Sequence, residues 1–323
     1  MCHAESVSAP ASRPVCVLGL GLIGGSLLRR LADTGLPAFG YNRSTATVDA
    51  AVADGYTASA DLDAVLRQAA EQDAIIVLAT PFTALETMIE AVRDTAPACL
   101  LTDVVSVKEQ VAVLIDRIHP TGRYVGGHPM AGTSQSGWAA TDPSLFEGAM
   151  WMVTTHDDTD ADDWLAVAGV ARSTGAYVVP AANDAHDRAA AAISHNPHLT
   201  AAVTAAVGAG ESDLALRLAA GSFRDGTRVA GTAPDLQRAM LEANSISLLN
   251  TLSETIDRLV AARDALRDHG SVAVLVDAGH RARLKYEAIA GAAPEPITGV
   301  RVGEDDWAEQ LRRQAHQARV WMP

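Results

Sequence analysis

Short apolar runs alternate with stretches of helical periodicity through the first half of the chain. The apolar runs cover residues 15–19 (VCVLG), 38–42 (AFGYN), 74–79 (AIIVLA), 99–105 (CLLTDVV) and 124–127, and helical stretches at 83–93 and 107–118 lie among them. Strands that alternate with helices of this length form parallel βαβ units, and a doubly wound sheet is the economical way to join them. We expect two further runs, at 151–154 and 177–179, to complete that sheet.

The pattern changes after Pro180. Residues 183–220 and 234–268 are rich in alanine and leucine at helical spacing, and almost no strand signal intervenes. We expect a loop over 221–233 between them and a weakly patterned tail from about 270, with one more helix over 305–319. The sequence therefore predicts a flexible N-terminus (1–13), an α/β domain (14–180) and an all-helical domain (181–323).

A glycine-rich turn follows the first predicted strand. The run Gly19-Leu20-Gly21-Leu22-Ile23-Gly24 has the spacing GxGxxG and opens a helix that Gly35 is placed to end. In this context the first glycine permits a tight turn, the second lets the backbone approach a pyrophosphate, and the third allows close helix–strand packing. The turn predicts a dinucleotide site in which Leu22 and Ile23 supply amide groups at the helix N-terminus.

The end of the second predicted strand indicates which cofactor the site prefers. NAD-specific sites usually carry a carboxylate there, whereas this chain has Asn42-Arg43-Ser44. Arg43 and the hydroxyl of Ser44 are suited to a 2′-phosphate, so we favour NADP over NAD. The other reading is that Arg43 is a solvated loop residue. Thr80, after another predicted strand, completes the expected cofactor contacts.

Composition excludes several classes of function. The 323 residues carry a formal net charge of −14, which disfavours nucleic acid and anionic membranes as partners. An anionic substrate would need a local cluster of arginine or lysine. The three cysteines show no metal-ligand spacing, and no secretory signal or apolar run of about 18 residues occurs. We expect reduced thiols, no bound metal and a cytoplasmic protein.

His128 is the strongest candidate for chemistry. It stands in Gly126-Gly127-His128-Pro129-Met130-Ala131-Gly132, where glycines permit close approaches and Pro129 fixes the chain after the imidazole. We expect a nearly side-chain-free loop that presents the ring beside the cofactor. Three other stretches stand out: 102–108 (TDVVSVK), 194–198 (SHNPH) and 223–228 (FRDGTR). Taken singly, each has a plainer explanation, such as Ser106 capping a helix, packed histidines, or arginines as surface charge.

Together and in this order, these stretches resemble the prephenate/arogenate dehydrogenase family of tyrosine biosynthesis. The resemblance runs from about residue 15 to about 260. It implies a Rossmann-type dinucleotide-binding domain, a helical domain that forms a homodimer, and an active site between them. The matching motifs are GLGLIGGSL (19–27), DxxSVK (103–108), GGHPMAGTSxSG (126–137), SHxPH (194–198) and FxDxTR (223–228).

The resemblance also implies roles for individual residues. His128 would be the general base for the ring hydroxyl of the substrate, and Ser106 would bind that hydroxyl or orient the imidazole. Arg228 would pair with a substrate carboxylate, for which the planar guanidinium is well suited. His198, with His195 and Thr133, would line the substrate pocket. Lys108 would have a supporting role.

Two positions depart from the family pattern, and several questions stay open. Members often carry an acid near the position of Ser134 and an aromatic residue near that of Gln237, so gating or product sensing by those residues cannot be carried over. The sequence does not distinguish prephenate from arogenate as substrate or reveal tyrosine inhibition. We expect no regulatory domain after 268 and no mutase fused before the first strand.

Two other functions would also use parts of this pattern. A β-hydroxyacid dehydrogenase also couples a Rossmann domain to a helical one, but it usually relies on a lysine in the helical domain. Lys285 is the only lysine after Lys108, and no pocket motif surrounds it. A nonenzymatic NADP-binding sensor would need the glycine turn but not His128, Ser106 and Arg228 together.

Overall fold

The computed structural model describes residues 13–133 and 135–322. The chain separates into two compact units. The first comprises the residues up to Val105 together with Val111–Thr154 and Asp158–Val178. The second comprises Ser106–Gln110, Thr155–Asp157 and the chain from Val179 onward. The flexible terminus predicted for 1–13 falls almost wholly outside the described residues.

The first unit contains a five-stranded parallel sheet in the order β3-β2-β1-β4-β5. This confirms the doubly wound sheet, because the chain moves outward from β1 to one edge and then returns to build the other. The strands are β1 (Val15–Leu18), β2 (Ala38–Tyr41), β3 (Ala58–Ser59), β4 (Ile75–Leu78) and β5 (Leu101–Asp103). The helices are α1 (Leu22–Asp33), α2 (Thr45–Ala53), α3 (Leu62–Glu71), α4 (Leu85–Thr95), α5 (Glu109–Ile118) and α6 (Ala161–Ser173).

The central strands are apolar because helices cover both faces of the sheet. Every residue of β1 and of β4 is buried. The helices carry an apolar stripe instead, as in α1, where Leu27, Leu28 and Leu31 face the core. As predicted, α1 stops beside Gly35, whose φ of +76° suits a residue without a Cβ.

Three predictions about the sheet were wrong. The short strand β3 was not predicted, and the run 124–127 gives only an isolated bridge to β5, with β6 starting at Gly127. The runs near 151–154 and 177–179 do form strands, β7 (Met150–Thr154) and β8 (Tyr177–Ala181), but they do not extend the large sheet. They form a separate three-stranded sheet with β6 (Gly127–Pro129), in the order β6-β7-β8. The pairing of β6 with β7 is antiparallel, and an apolar run by itself does not reveal which neighbour it will pair with.

The second unit is mostly helical from Asn183 onward. Its helices are α7 (Asn183–Ala190), α8 (Asn196–Glu211), α9 (Asp213–Leu218), α10 (Gly221–Thr227), α11 (Pro234–Ala243), α12 (Ser245–His269), α13 (Ala273–Ala290) and α14 (Trp307–Ala315). A π-helical turn, Ala191–His195, connects α7 to α8, and Pro234 occupies the first turn of α11 as predicted. The two short strands β9 (Glu295–Pro296) and β10 (Arg319–Val320) pair with each other.

Two segments of this unit differ from the prediction. The expected loop 221–233 is mainly α10 followed by a 3-10 turn, Arg228–Gly231. Its glycines suggested a loop, but the ring of Phe223 packs against Gly208, where a Cβ would lie 2.5 Å from the ring. The tail after 270 contains the 18-residue helix α13, which buries none of its side chains and therefore shows no apolar stripe.

Within the described residues, we find no helix whose length and hydropathy would suit a membrane span.

Candidate active site

The glycine turn after β1 is shaped by contacts that exclude side chains. Gly19 has φ +111°, and a Cβ there would lie 2.6 Å from the carbonyl oxygen of Ala79. A Cβ on Gly24 would lie 2.0 Å from the carbonyl oxygen of Gly19. At Gly21, by contrast, a Cβ would meet nothing within 4 Å. Glycine at 19 and 24 is thus explained by packing, whereas the open space at 21 fits the approach of a ligand.

The carboxyl ends of β1, β2 and β4 meet at this turn. The side-chain Oδ1 of Asn42 accepts a hydrogen bond from the backbone N–H of Leu20 at 3.1 Å, so Asn42 ties the end of β2 to the glycine turn. Thr80 follows β4, and its hydroxyl is buried without a hydrogen-bond partner. An unsatisfied hydroxyl beside a helix N-terminus fits a nucleotide phosphate or nicotinamide group. Leu22 and Ile23 are half-buried in the first turn of α1.

The two residues predicted to select the cofactor have different surroundings. Arg43 is exposed. Ser44 caps α2, because its hydroxyl oxygen accepts a hydrogen bond from the backbone N–H of Thr47 at 3.3 Å. That contact leaves the hydroxyl proton of Ser44 available to an acceptor. The capping role was not predicted, and it is compatible with the predicted one.

His128 lies in the middle of β6 and is half-buried, with Met152 of β7 opposite it. The prediction of a loop at this position was wrong, since 127–129 is a short strand. Neither Gly126 nor Gly127 has a positive φ. Close packing explains both glycines: a Cβ on Gly127 would lie 2.8 Å from the carbonyl oxygen of Asp103. The structure therefore fixes the backbone of His128 more firmly than a loop would.

Asp103 is a residue whose importance the sequence reading missed. It ends β5, is fully buried, and accepts at Oδ1 a 2.7 Å hydrogen bond from the backbone N–H of Val105. Its Oδ2 accepts hydrogen bonds from the hydroxyl of Tyr124 at 2.6 Å and the backbone N–H of Gly127 at 3.4 Å. Asp103 thereby links β5 to the strand of His128. A buried acid at the carboxyl end of a parallel strand was the available signal.

The stretch after His128 is more exposed. Thr133 lies on the surface, and its hydroxyl oxygen accepts a hydrogen bond from the backbone N–H of Gln135 at 3.2 Å. Ser134, where the family pattern places an acid, lies outside the described residues. Further on, Trp138 is buried and donates from Nε1 to Asp54 at 2.9 Å, with the guanidinium of Arg29 stacked over its indole.

In the second unit, a buried carboxylate holds the segment that carries Ser106. Asp187 accepts hydrogen bonds from the backbone N–H of Lys108 at 2.8 Å, the backbone N–H of Glu109 at 2.9 Å and Nδ1 of His186 at 2.8 Å. Burial alone would raise the pKa of Asp187, but these hydrogen bonds outweigh it and hold the pKa below its usual value. The start of α5 is capped by Asp187 rather than by the half-buried Ser106.

His195 ends the π-helical turn and is 1% exposed. Its Nδ1 lies 3.0 Å from the side-chain nitrogen of Asn244, which also donates to the backbone carbonyl of Asp187 at 2.8 Å. Burial lowers the pKa of His195 to about 4, so the ring is neutral at pH 7. Asn244 was not predicted, and nothing in its local sequence distinguishes it from an ordinary helix-end residue.

His198 and Arg228 lie near each other within the second unit, where the 3-10 turn that begins at Arg228 packs on α8. Burial lowers the pKa of His198, and the positive charge of Arg228 lowers it further. The Nδ1 atom of His198 is buried without a hydrogen-bond partner, and Gln237 donates to the His198 backbone carbonyl at 3.4 Å. Arg228 itself is exposed at the start of the 3-10 turn that packs on α8. A neutral ring beside a free guanidinium suits an anionic ligand.

Comparison with known proteins finds a matching family model for each unit. The family model for the prephenate dehydrogenase nucleotide-binding domain matches residues 28–180, and the model for the prephenate dehydrogenase dimerization domain matches residues 182–275. The chain belongs to the prephenate dehydrogenase family. It is thus an oxidoreductase of tyrosine biosynthesis, in a family whose members use a nicotinamide cofactor for the oxidative decarboxylation of prephenate or arogenate.

Three relatives illustrate the breadth of the prephenate dehydrogenase family. The prephenate dehydrogenase of Bacillus subtilis is 32% identical over 75% of this chain and 67% of its own. A structure from Corynebacterium glutamicum, assigned provisionally as a prephenate dehydrogenase, is 44% identical with a TM-score of 0.92 and covers 96% of this chain and 99% of its own. Synechocystis arogenate dehydrogenase is 30% identical with a TM-score of 0.72, covering 84% and 99%.

Proposed function

We propose that this chain oxidises and decarboxylates prephenate, arogenate or both, with His128 as the general base. The observation that carries the proposal is the fixed backbone of His128, held in β6 by glycine contacts and by Asp103. An imidazole whose ordinary pKa lies near 6.5 is largely neutral at cellular pH, as a base must be. General base catalysis is typically worth about 10²–10⁴-fold in rate.

The reaction balances without a further reactant. The ring hydroxyl would give its proton to His128, and a bound nicotinamide would supply the acceptor for the hydride that the carbinol carbon loses. The bond from the opposite ring carbon to its carboxylate breaks, CO2 leaves, and the electron pair of that bond completes the aromatic ring. The phenolate oxygen then regains a proton. The products are 4-hydroxyphenylpyruvate from prephenate or tyrosine from arogenate.

The remaining site residues would bind and orient the substrate. Ser106 would bond the ring hydroxyl or orient the imidazole of His128, and Arg228 would pair with a substrate carboxylate. His198 would line the pocket as a neutral ring, so it would not add a second positive charge beside the guanidinium of Arg228. His195 and Thr133 would complete the pocket. A local positive charge is needed because the chain as a whole carries −14.

For the cofactor, the favoured partner is NADP. Arg43 is exposed, no carboxylate pairs with it among residues 13–133 and 135–322, and the hydroxyl of Ser44 keeps a donor free. Gly19, Gly21, Gly24, Leu22, Ile23, Asn42 and Thr80 would form the rest of the nucleotide site. If NADP is preferred, Arg43→Ala should lower kcat/KM for NADP by about 10- to 100-fold and leave that for NAD nearly unchanged, whereas Arg67→Ala should change neither.

For the assembly, the proposal is a homodimer through the helical unit. Most of the exposed large apolar side chains in the described residues lie between Ile193 and Ile289, including Val207, Leu218 and Val274, each more than two-thirds exposed. Such a concentration is typical of an interface that another chain covers. Light scattering on the purified protein should give a molar mass twice that of one chain. The Val274→Arg variant should give a molar mass closer to that of a single chain.

The decisive experiment follows reduced nicotinamide with prephenate, arogenate and a simple β-hydroxyacid, each tested with NADP and NAD. Turnover of prephenate or arogenate with release of CO2 supports the proposal and identifies the substrate. Activity on the hydroxyacid alone would favour the β-hydroxyacid dehydrogenase alternative. Absence of turnover with all three, by a folded protein that binds NADP, would favour a sensor.

A further inference from the structure

Three buried groups of the second unit form a chain of hydrogen bonds. The side-chain nitrogen of Asn244 contacts the backbone carbonyl oxygen of Asp187 at 2.8 Å and Nδ1 of His195 at 3.0 Å. The three residues are 4%, 1% and 1% exposed, respectively. Because they are almost inaccessible to water, the hydrogen bonds among them are not exchanged for bonds to solvent.

The carbonyl of Asp187 determines which way the Asn244 amide points. A backbone carbonyl only accepts, so the amide must turn its nitrogen toward it. Rotating the amide by 180° would place Oδ1 against the carbonyl oxygen of Asp187, so that this hydrogen bond would be replaced by a contact between two acceptors. The NH2 group has two protons, and the second one then points at Nδ1 of His195.

The orientation of the amide in turn decides the tautomer of His195. An amide N–H requires an acceptor, so Nδ1 of His195 carries no proton and the ring proton resides on Nε2. We propose that Asn244 is a positioning residue that holds His195 in the neutral Nε2–H form, so that its Nε2–H donates to an oxygen of the bound substrate. This inference rests on the proposed function only for the identity of the acceptor.

Asp187 joins these hydrogen bonds to the segment that carries Ser106. Its backbone carbonyl orients Asn244, while its carboxylate accepts from the backbone N–H groups of Lys108 and Glu109. One residue therefore sets the tautomer of His195 and also holds the backbone two residues after Ser106. Two groups predicted for the substrate pocket thus share a single buried support.

The charged groups around His195 are consistent with a neutral ring. Burial is the largest influence and lowers the pKa of His195. The carboxylate of Asp187 acts in the opposite direction, and the neighbouring rings of His186 and His198 oppose protonation. The hydrogen bond from Asn244 adds to this, since it is available only while Nδ1 is unprotonated.

The first test measures the tautomer in the unmodified protein. Nitrogen-15 NMR of the full-length protein with labelled histidine distinguishes a protonated from an unprotonated ring nitrogen, and a His195→Gln sample identifies the signals. We expect an unprotonated Nδ1 and a protonated Nε2 from pH 5.5 to 8. A proton on Nδ1, as the other tautomer or as imidazolium at pH 7, would overturn the inference. No substrate is needed, so this result is independent of the proposed function.

The second test changes the donor with little change in shape. In Asn244→Asp both side-chain oxygens accept, so Nδ1 of His195 should become protonated and its titration should move upward by about one to three pH units from about 4. The matched control is Asn196→Asp, which adds the same charge next to His195 in sequence but normally bonds Thr255 at 2.9 Å. Equal shifts in both variants would indicate a charge effect and refute the role of the hydrogen bond.

A kinetic measurement tests whether Nε2–H of His195 contacts the substrate, which the NMR measurement of its tautomer does not address. With whichever substrate turns over, Asn244→Asp should introduce into the pH profile of KM an inflection that the wild type and Asn196→Asp lack. His195→Gln, which can place an amide N–H near the Nε2 position, should keep a lower KM than His195→Asn, which cannot. Equal KM values for these two variants would contradict a contact through Nε2–H.

Discussion

The hydroxyl of Tyr124 donates a 2.6 Å hydrogen bond to Oδ2 of Asp103, the same oxygen that faces the backbone N–H of Gly127. Gly127 precedes His128, so Tyr124 and Asp103 together determine where the strand of the proposed base lies. Leaving a buried acceptor without its donor costs about 1–3 kcal/mol.

Removing the Tyr124 hydroxyl should therefore affect both stability and catalysis. Tyr124→Phe should lower the free energy of unfolding by about 1–3 kcal/mol, and kcat should fall by up to about 100-fold if β6 moves by about 1 Å. Urea titration and steady-state kinetics measure the two effects. Tyr177→Phe is the control, because the Tyr177 hydroxyl makes no hydrogen bond to any described residue. A Tyr124→Phe protein as stable as the Tyr177→Phe protein would show that the contact does not hold β6.

Replacing the proposed base should reduce turnover without unfolding the protein. His128→Asn is expected to lower kcat by about 10²–10⁴-fold, which corresponds to roughly 3–5 kcal/mol of barrier. The matched variant is His316→Asn, at an exposed position, which should keep wild-type kcat. Near-normal kcat in His128→Asn would remove this residue from the mechanism.

The proposed carboxylate contact should appear mainly in KM. Arg228→Ala should raise KM by about 10- to 100-fold with a small change in kcat, if the contact is equally strong in the ground and transition states. Arg224→Ala provides the comparison, because Arg224 is 80% exposed on the preceding helix and pairs with Asp225. A similar rise in KM for both would point to general attraction of anions rather than a specific pair.

The glycine turn offers a way to separate folding from cofactor binding. Gly21→Ala should fold, at a cost of at most about 1 kcal/mol, because its Cβ meets no protein atom within 4 Å. It should nevertheless weaken NADP binding by about tenfold or more, since the new methyl occupies the path of the pyrophosphate. Gly24→Ala should instead destabilise the fold by about 1–3 kcal/mol or more, because its Cβ would lie 2.0 Å from an oxygen. Calorimetry of binding and unfolding measures both; unaltered NADP affinity in Gly21→Ala would argue against a nucleotide at this turn.

Stability should depend on pH through His195. Its pKa is about 4 when folded and ordinarily near 6.5, so between these values the unfolded chain binds more protons. The contribution is complete above pH 6.5 and is lost as the pH falls toward 4, reaching roughly 3 kcal/mol. The lowered pKa of His198 acts in the same direction. Denaturant titrations from pH 4 to 8 should show a shallower slope for His195→Gln than for His316→Gln, and parallel slopes would be inconsistent with a buried neutral ring.

The sequence predicted best where a pattern has one physical solution. The buried runs of β1 and β4 predict interior parallel strands, and the GxGxxG spacing between a strand and a helix predicts the turn from Gly19 to Gly24. The order of motifs also led to the family. The bounds of β6 and its antiparallel pairing with β7 were not predictable, because a three-residue strand has too little pattern to specify which strand it pairs with.

Other features depend on contacts distant in sequence. The helix α10 was taken for a loop because its glycines outweighed the packing of Phe223, which lies 15 positions from its neighbour Gly208. The helix α13 lacks an apolar stripe because it buries nothing within its own chain. Asp187 lies in the short helix α7 and Asn244 lies between α11 and α12. Only the folded chain reveals that both are buried and linked to His195.

The assignment of residues 106–110 to the helical unit has a practical consequence for dissecting the gene. A fragment ending near 178 would retain α5 but lose Asp187, whose carboxylate accepts from the amides at the start of that helix. The backbone N–H groups of Lys108 and Glu109 would lose this acceptor. The nucleotide-binding half is therefore expected to be less stable when expressed alone than its continuous sheet would suggest.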